Sequence, residues 1–219
     1  MRTALRYLAL LLAILAGCAA PLQHHFPLNQ PARPAEVSEA AWDSTYVFTD
    51  GRFLCGAVLV APDVALTARH CVEGPSLGLL VHPGGAVRAV TAAVVAVDAD
   101  VAFLQVAPAA KQHAQVGTAP APGARGHVLG YGCSHGMQLE ARPVTYVGRF
   151  KPGRPDELLL DMWQGTACRG DSGGGVFDAD GKLVGISVRI ADSDDVQLLY
   201  TVPTDLVAPL LEPQAPLAD

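Results

Sequence analysis

The feature that most constrains the fold of this chain is a long succession of short apolar runs that begins after Trp42. Gly, Pro and Asp separate the runs, and these residue types favour turns. Short apolar runs bounded by turn residues are typical of β-strands, so the pattern predicts an all-β barrel or sandwich. The runs are Phe53–Ala61, Val64–Ala68, Leu77–His82, Val87–Val97, Val101–Val106, Val128–Tyr131, Val144–Phe150, Leu158–Met162, Gly175–Phe177, Leu183–Ile190 and Val196–Val202.

Three segments differ from the strand pattern. Ala107–Arg125 is rich in Ala, Pro and Gly and divides the runs into two sets, so we expect it to link two barrels. Asp178–Gly181 predicts a hairpin turn rather than a calcium loop, because no Glu follows at the spacing that such a loop requires. Thr204–Leu211 predicts a short helix with Thr204 at its N-cap.

Composition and charge exclude several classes of protein. Apolar residues make up 50% of the chain and charged residues 16%, which excludes a disordered chain. The net charge is −6 and the 15 Lys and Arg residues are scattered, so we expect no nucleic-acid partner. The count of 5 Cys residues is odd, which in an exported protein implies one residue outside the disulfides.

The N-terminus has the pattern of a secretory signal. Arg2 and Arg6 precede the apolar run Tyr7–Ala16, which is too short to span a bilayer. A buried N-terminal helix is the alternative, but the prolines that follow oppose it. The sequence therefore predicts that residues 1–17 are removed on export.

Leu15–Cys18 resembles the bacterial lipobox, which implies that the Cys18 thiol carries a lipid. Ala19 follows the Cys, as in lipoproteins that are sorted to the outer membrane. Multiple acyl chains give stable anchoring, so we expect an outer-membrane lipoprotein. Residues 18–41 are rich in Pro and predict a semi-rigid tether between the membrane and the folded domain.

The most distinctive motif is Cys168–Gly174, in which Gly residues surround Ser172. Such a segment exposes a hydroxyl on a tight turn where backbone N–H groups converge, although an ordinary glycine turn is the alternative. The segment also fits the nucleophile elbow of α/β-hydrolases. That fold needs a His after the Ser, whereas the last His here is His135, so any base lies upstream.

Three blocks in one order resemble the chymotrypsin/trypsin family of serine peptidases. Thr67–Cys71 matches the family's Thr-Ala-x-His-Cys block, and Gly170–Gly174 matches its Gly-Asp-Ser-Gly-Gly block. Asp100–Leu104 lies between them and matches the family's Asp strand. The resemblance extends from about Thr45 to Leu211.

The resemblance implies a mechanism of peptide hydrolysis through an acyl-enzyme. Ser172 is the expected nucleophile and His70 the base, since imidazole titrates near neutrality. Asp100 is expected to orient His70, with Asp98 as the competing carboxylate. The N–H groups of Gly170 and Ser172 are expected to form the oxyanion hole.

The resemblance also implies the architecture. We expect two packed antiparallel six-stranded β-barrels and a short C-terminal helix. The peptidase domain is predicted over residues 42–212, before a flexible tail at 213–219. Its parts are predicted to be an N-terminal barrel at about 42–106, a linker at 107–125 and a C-terminal barrel at 126–212.

Two disulfides are expected from the same resemblance. The family joins the positions of Cys55 and Cys71. The family's partner for Cys168 lies C-terminal to the Ser, and this chain has no such Cys, so we predict a Cys133–Cys168 bond as a departure from the family. A zinc site of Cys133, His135 and His127 is the disfavoured alternative, because an oxidising compartment favours disulfides.

Specificity is expected to differ from that of trypsin. Thr166 occupies the position at the base of the family's pocket, where trypsin-like enzymes carry Asp, so we predict no preference for Lys or Arg. Ser187 and Arg189 are expected to form the pocket wall. Two alternatives stay open: the pocket accepts small side chains, or Arg169 and Arg189 favour acidic ones.

Activation is a further expected difference. In the family a freed N-terminal amine pairs with the Asp before the Ser, which is Asp171 here. An acylated Cys18 has no free amine to offer. We therefore expect either cleavage within residues 19–41 or an internal partner for Asp171 such as an Arg, because an unpaired buried carboxylate is costly.

The sequence as a whole predicts a monomeric, membrane-anchored serine endopeptidase that acts on peptides or proteins. The resemblance implies neither a cofactor nor a metal. Two other functions stay open, namely a catalytically idle binding module on the same scaffold and an esterase that uses the same triad.

Overall fold

The computed structural model describes residues 32–51, 53–73, 78–96, 98–133, 138–151, 159–193 and 196–211. The predicted signal peptide, Cys18, most of the tether and the C-terminal tail lie outside these residues, as does His135.

The described strands form two closed antiparallel barrels. The first barrel has the strand order β1-β2-β3-β6-β5-β4 and the second β10-β11-β12-β9-β8-β7. This arrangement confirms the predicted all-β fold with two six-stranded barrels. The strands of the first barrel are β1 (Thr45–Thr49), β2 (Leu54–Ala61), β3 (Val64–Thr67), β4 (Leu79–Val81), β5 (Val87–Val95) and β6 (Ala102–Ala107). Those of the second are β7 (Arg125–Gly130), β8 (Glu140–Phe150), β9 (Leu160–Gly165), β10 (Gly175–Asp178), β11 (Leu183–Ser193) and β12 (Val196–Pro203).

Strand β6 illustrates why these residues form a barrel wall. Ala102, Leu104 and Val106 are buried, whereas Gln105 between them is exposed. Side chains on a strand alternate between its two faces, so the apolar set of β6 faces the barrel interior. The strand begins at Ala102, two residues after Asp100.

The helices among the described residues are short. Thr204 was predicted as an N-cap, and this prediction is wrong, because Pro203 caps the helix and Thr204 is its first residue. The Thr204 hydroxyl instead donates to the carbonyl of Leu183 at 3.0 Å and ties the helix to β11. These elements are α1 (Glu39–Asp43), α2 (Thr204–Val207) and two 3₁₀ turns (Arg69–Cys71 and Ala208–Leu210).

The turn between β10 and β11 is the predicted hairpin turn. The Asp178 side chain accepts hydrogen bonds from the N–H groups of Asp180 and Lys182 at 3.0 and 2.8 Å. Gly181 has a φ of +76°, which favours glycine. The Asp178 carboxylate is thus engaged in closing the turn.

The connection between β6 and β7 contacts both barrels. The N–H of Ala114 donates to the Leu59 carbonyl in the first barrel at 2.8 Å. The N–H of Gly117 donates to the Leu183 carbonyl in the second at 2.7 Å. Buried side chains also join the barrels, since Phe177 and Ile186 belong to the same apolar cluster as Leu59.

Candidate active site

His70 lies on a turn that the first barrel holds in place. Strand β3 ends at Thr67, and the 3₁₀ turn Arg69–Cys71 follows it. Cys71 is buried and forms a disulfide with Cys55 of β2. This is the disulfide that the resemblance implied, and it links the turn that carries His70 to β2.

Asp100 makes two hydrogen bonds to His70. Its Oδ1 accepts from the backbone N–H of His70 at 3.0 Å, and its Oδ2 accepts from the ring Nδ1 at 2.8 Å. With Nδ1 as the donor, Nε2 of the neutral ring is left as an acceptor. Asp98, the competing carboxylate, is exposed and makes no hydrogen bond to His70 within the described residues.

This pairing shifts the pKa of both side chains. The hydrogen bond to Asp100 raises the pKa of His70 above 6.5, although burial of the ring opposes the shift. Burial acts to raise the pKa of Asp100, but the hydrogen bonds from the His70 side chain and backbone outweigh it and lower that pKa. The two groups therefore favour the state in which His70 is protonated and Asp100 is ionised.

Ser172 lies on the turn between β9 and β10, which packs against the first barrel through glycine. The Gly56 N–H of β2 donates to the Ser172 carbonyl at 2.7 Å. A Cβ on Gly173 would overlap both the Gly56 carbonyl and the Thr67 hydroxyl. We call this contact between Gly56 of β2 and the turn at Gly173 and Gly174 the glycine seam. Because these residues have no side chains, the backbone that follows Ser172 packs next to the end of β3, which leads to His70.

No hydrogen bond joins Ser172 Oγ to a ring nitrogen of His70, two residues that the structure describes. Contacts between a nucleophile and its base are often long in enzymes without substrate and tighten in the complex. Cys71, the neighbour of His70, has its Sγ 4.0 Å from the Ser172 carbonyl, so the turns that carry the two residues adjoin.

The backbone around Ser172 presents two N–H groups. The N–H groups of Asp171, Gly173 and Gly174 donate to carbonyls within the protein. Those of Gly170 and Ser172 make no hydrogen bond within the described residues. Gly170 has a φ of +102°, a conformation that favours glycine.

Asp171 is held by three donors beneath this turn. It is 1% exposed, and the Arg142 guanidinium donates to its Oδ2 at 2.5 Å. The N–H groups of Gly132 and Cys168 donate to the same carboxylate at 2.9 and 2.7 Å. Arg142 is therefore the internal partner that the sequence left open as one of two alternatives.

Sequence reasoning did not single out Arg142, although the sequence contains a signal for it. Arg142 shares one face of β8 with Val144 and Tyr146, and all three are buried. A buried Arg needs a carboxylate partner. An Arg in the apolar phase of a strand therefore indicates a buried acid elsewhere in the chain.

A second disulfide holds the segment before Ser172. Cys133 is bonded to Cys168, as predicted, so Cys133 is not available to the alternative zinc site. A Cβ on Gly132 would lie 2.7 Å from the Arg169 carbonyl, which shows how closely the two segments pack. Among the residues described, no group of three His, Cys, Asp or Glu side chains is placed to hold a metal.

A cavity of about 260 Å³ opens beside Ser172. Ser187 and Arg189 line it, whereas Thr166 is exposed and does not. Next to Thr166, the Ala167 N–H donates to Oε1 of Gln197 in β12 at 2.7 Å. The cavity is also lined by Arg169, Val188, Ile190 and Leu199.

Residues 55–186 match the model of the trypsin-like peptidase domain. The chain belongs to the trypsin-like peptidase family. It is a hydrolase with a serine-protease fold. A comparison with curated protein sequences finds no match.

Solved structures of serine proteases share the fold of this trypsin-like domain. The active form of the Rv3671c protease from M. tuberculosis is 23% identical with a TM-score of 0.67, and the match covers 78% of this chain and 81% of that one. The HtrA-type protease AlgW with a tripeptide is 20% identical with a TM-score of 0.69, over 80% of this chain and 61% of AlgW. Kallikrein-related peptidase 10 is 22% identical with a TM-score of 0.64, over 79% and 96%.

Proposed function

We propose that this protein is a serine endopeptidase that uses His70, Asp100 and Ser172 as its catalytic triad. The observation that carries the proposal is the 2.8 Å hydrogen bond from His70 Nδ1 to Asp100, beside the turn that presents Ser172. His70 Nε2 takes the Ser172 proton as the hydroxyl oxygen attacks the peptide carbonyl. His70 then returns that proton to the leaving amine. In the second half of the reaction water attacks the acyl-enzyme, and His70 takes a proton from the water and gives it to the Ser172 oxygen as the acid product leaves.

The oxyanion of the tetrahedral intermediate binds to the N–H groups of Gly170 and Ser172. Neither N–H has a hydrogen-bond partner in the part of the chain that the structure describes, which supports this role, since an oxyanion hole needs donors that are preorganised and not already engaged. Asp171 fixes the turn between them through its contact with Arg142.

The Arg142–Asp171 pair also bears on activation. The Arg142 guanidinium from β8 binds Asp171 as a freed N-terminal amine does in activated trypsin-like enzymes, so this peptidase needs no cleavage within residues 19–41 to order the turn at Gly170–Ser172. An acylated Cys18 is compatible with such an enzyme, because no free chain end is required.

A fluorophosphonate probe tests the triad directly. The full chain should be labelled at Ser172, and Ser172→Ala and His70→Ala should each abolish labelling. His113→Ala is the matched control, because His113 is exposed and makes no contact with the site. Equal labelling of Ser172→Ala would refute the proposal, and absence of labelling in every variant would favour the idle binding module.

Peptide bonds are the proposed substrate, and Lys or Arg is not the preferred residue before the cleaved bond. Among the residues that the structure describes, Asp171 is the only carboxylate that lines the cavity, and it is bound by Arg142, which leaves none of them to bind a basic side chain. Matched peptide amides and esters should both be hydrolysed, with Lys and Arg amides the slowest. Hydrolysis of esters alone would instead identify an esterase.

The proposal includes export and anchoring as an outer-membrane lipoprotein. Two disulfides are typical of exported proteins. The described residues contain no helix that is long and apolar enough to cross a membrane. Lipid attachment at Cys18 rests on the sequence, so Cys18→Ala should block labelling by a fatty-acid analogue and release a monomeric protein from the membrane fraction.

A further inference from the structure

The cavity beside Ser172 differs in charge from the rest of the protein. The chain carries a net charge of −6, yet the charged side chains that line the cavity are Arg169, Arg189 and Asp171. Arg142 neutralises Asp171 from behind the cavity at 2.5 Å. Two positive charges thus remain at this cavity in an acidic protein.

Neither of these two arginines has an internal partner. Arg169 and Arg189 are exposed and make no hydrogen bond or ion pair within the described residues. Arg142 and Arg149, in contrast, each pair with carboxylates of the protein. A guanidinium that is not engaged internally keeps its planar set of donors available for an incoming carboxylate.

Ser187 adds a buried donor to the same cavity. It is 1% exposed, and its Oγ has no hydrogen-bond partner among the residues described. Leaving a buried hydroxyl unpaired is costly, so a ligand that accepts a hydrogen bond from it is favoured over one that does not. Ser187 thus selects for a polar end on the bound side chain.

The remaining wall is apolar. Val188, Ile190 and Leu199 line the same cavity as the two exposed arginines and the buried hydroxyl. A volume of about 260 Å³ is more than a methyl side chain fills, and the apolar wall suits the methylene groups of a longer residue.

We infer that this peptidase cleaves after acidic residues. The side chain before the scissile bond lays its methylene groups against Val188 and Ile190, and its carboxylate meets Arg169, Arg189 and the Ser187 hydroxyl. This inference rests on the proposed function, because it assigns a substrate class to the cavity next to the proposed nucleophile. Of the two alternatives that the sequence left open, the structure thus favours acidic over small side chains.

Fluorogenic peptides that differ only in the residue before the cleaved bond test the inference on the full chain. The value of kcat/KM for Glu should exceed that for Gln by about tenfold or more, which is the discrimination expected when a site built for a charged group loses it. Leu and Ala peptides should be slower than Glu, and Lys slowest of all. Added salt should lower the Glu/Gln ratio, because it screens exposed charges.

Variants assign the preference to the named residues. Arg189→Gln and Arg169→Gln should each lower the Glu/Gln ratio about three- to tenfold, and Ser187→Ala should lower it as well. Arg125→Gln is the matched control: Arg125 is exposed and lies at the far end of β7 from the site, so its loss should leave the ratio unchanged.

Fluorophosphonate labelling needs no peptide side chain, so it tests the catalytic triad separately from the acidic preference. Labelling at Ser172 with a Glu/Gln ratio of one or less, or with Leu or Ala preferred, would overturn the acidic preference and leave the triad standing. Loss of both labelling and peptide cleavage would overturn both. A ratio that survives the two Arg variants would also overturn the assignment.

Discussion

Each barrel contributes an ion pair next to the proposed site, and the two pairs differ in burial and in the kind of cation. In the first barrel, the side chains of His70 and Asp100 are 41% and 34% exposed, and the cation titrates near neutrality. In the second, Asp171 is almost fully buried and accepts a hydrogen bond from the Arg142 guanidinium. The first pair is thus suited to change its charge during a reaction, and the second to stay fixed beneath it.

The largest effect should come from breaking the first pair without changing its shape. Asp100→Asn should lower kcat by about 10⁴-fold, because the amide no longer holds the His70 tautomer that leaves Nε2 as the acceptor. The melting temperature should change little, since both groups are partly exposed. A rate within tenfold of wild type would mean that Asp100 does not orient His70.

Breaking the second pair should instead damage the fold. Arg142→Met leaves Asp171 buried without its counter-ion, which should lower the free energy of unfolding by about 3–5 kcal/mol. The double variant Arg142→Met with Asp171→Asn removes both charges and should recover part of that loss. Denaturant unfolding of wild type, Arg142→Met, Asp171→Asn and the double variant measures the coupling between the two side chains. Arg142→Met as stable as wild type would show that the pair does not stabilise the fold.

The two disulfides extend the comparison to the covalent level. Cys133–Cys168 joins residues 35 apart and Cys55–Cys71 residues 16 apart. Loop-closure entropy predicts a loss of about 4 kcal/mol on removing the longer link and about 3 kcal/mol on removing the shorter one. Unfolding of the two double Cys→Ser variants checks the order, which would be reversed if native packing rather than loop length governed the loss.

The smallest expected effect is a displaced midpoint in the pH profile. A proton must leave His70 before it can act as a base, so kcat/KM should fall below a midpoint that lies above pH 6.5. Asp100→Asn removes the main cause of the raised pKa and should move that midpoint to lower pH. The raised pKa also means that the pair stabilises the fold below pH 6.5 and that this contribution is lost as pH rises through the midpoint.

An unchanged midpoint in Asp100→Asn would show that another group sets the acid limb.

Local sequence predicted most of the fold. The run Val101–Val106 became strand Ala102–Ala107 and the turn Asp178–Gly181 formed as expected, because alternation and turn chemistry act over a few residues. Thr204 was misassigned as a cap because its hydroxyl has a partner in β11, which no local pattern reveals. Tertiary contacts here outweighed the local preference of Thr.

In the candidate site, too, residues within contiguous motifs could be predicted from the sequence, whereas residues placed by strand packing could not. The motifs around His70 and Ser172 are contiguous, so the sequence displays them directly. The positions of Arg142 and Thr166 depend on which strands lie side by side: β8 brings the guanidinium to Asp171, and Gln197 of β12 binds the backbone next to Thr166. Spacing along the chain alone does not determine such positions.

The glycine seam has a consequence for how this enzyme can diversify. Gly56 and Gly174 meet so closely that a Cβ on Gly56 would overlap the Gly174 backbone, and Gly173 is equally confined. At the glycine seam the two barrels therefore contact each other through backbone atoms. New substrate preferences can arise at the rim, where Arg169 and Arg189 are free to vary, while the seam itself tolerates only hydrogen.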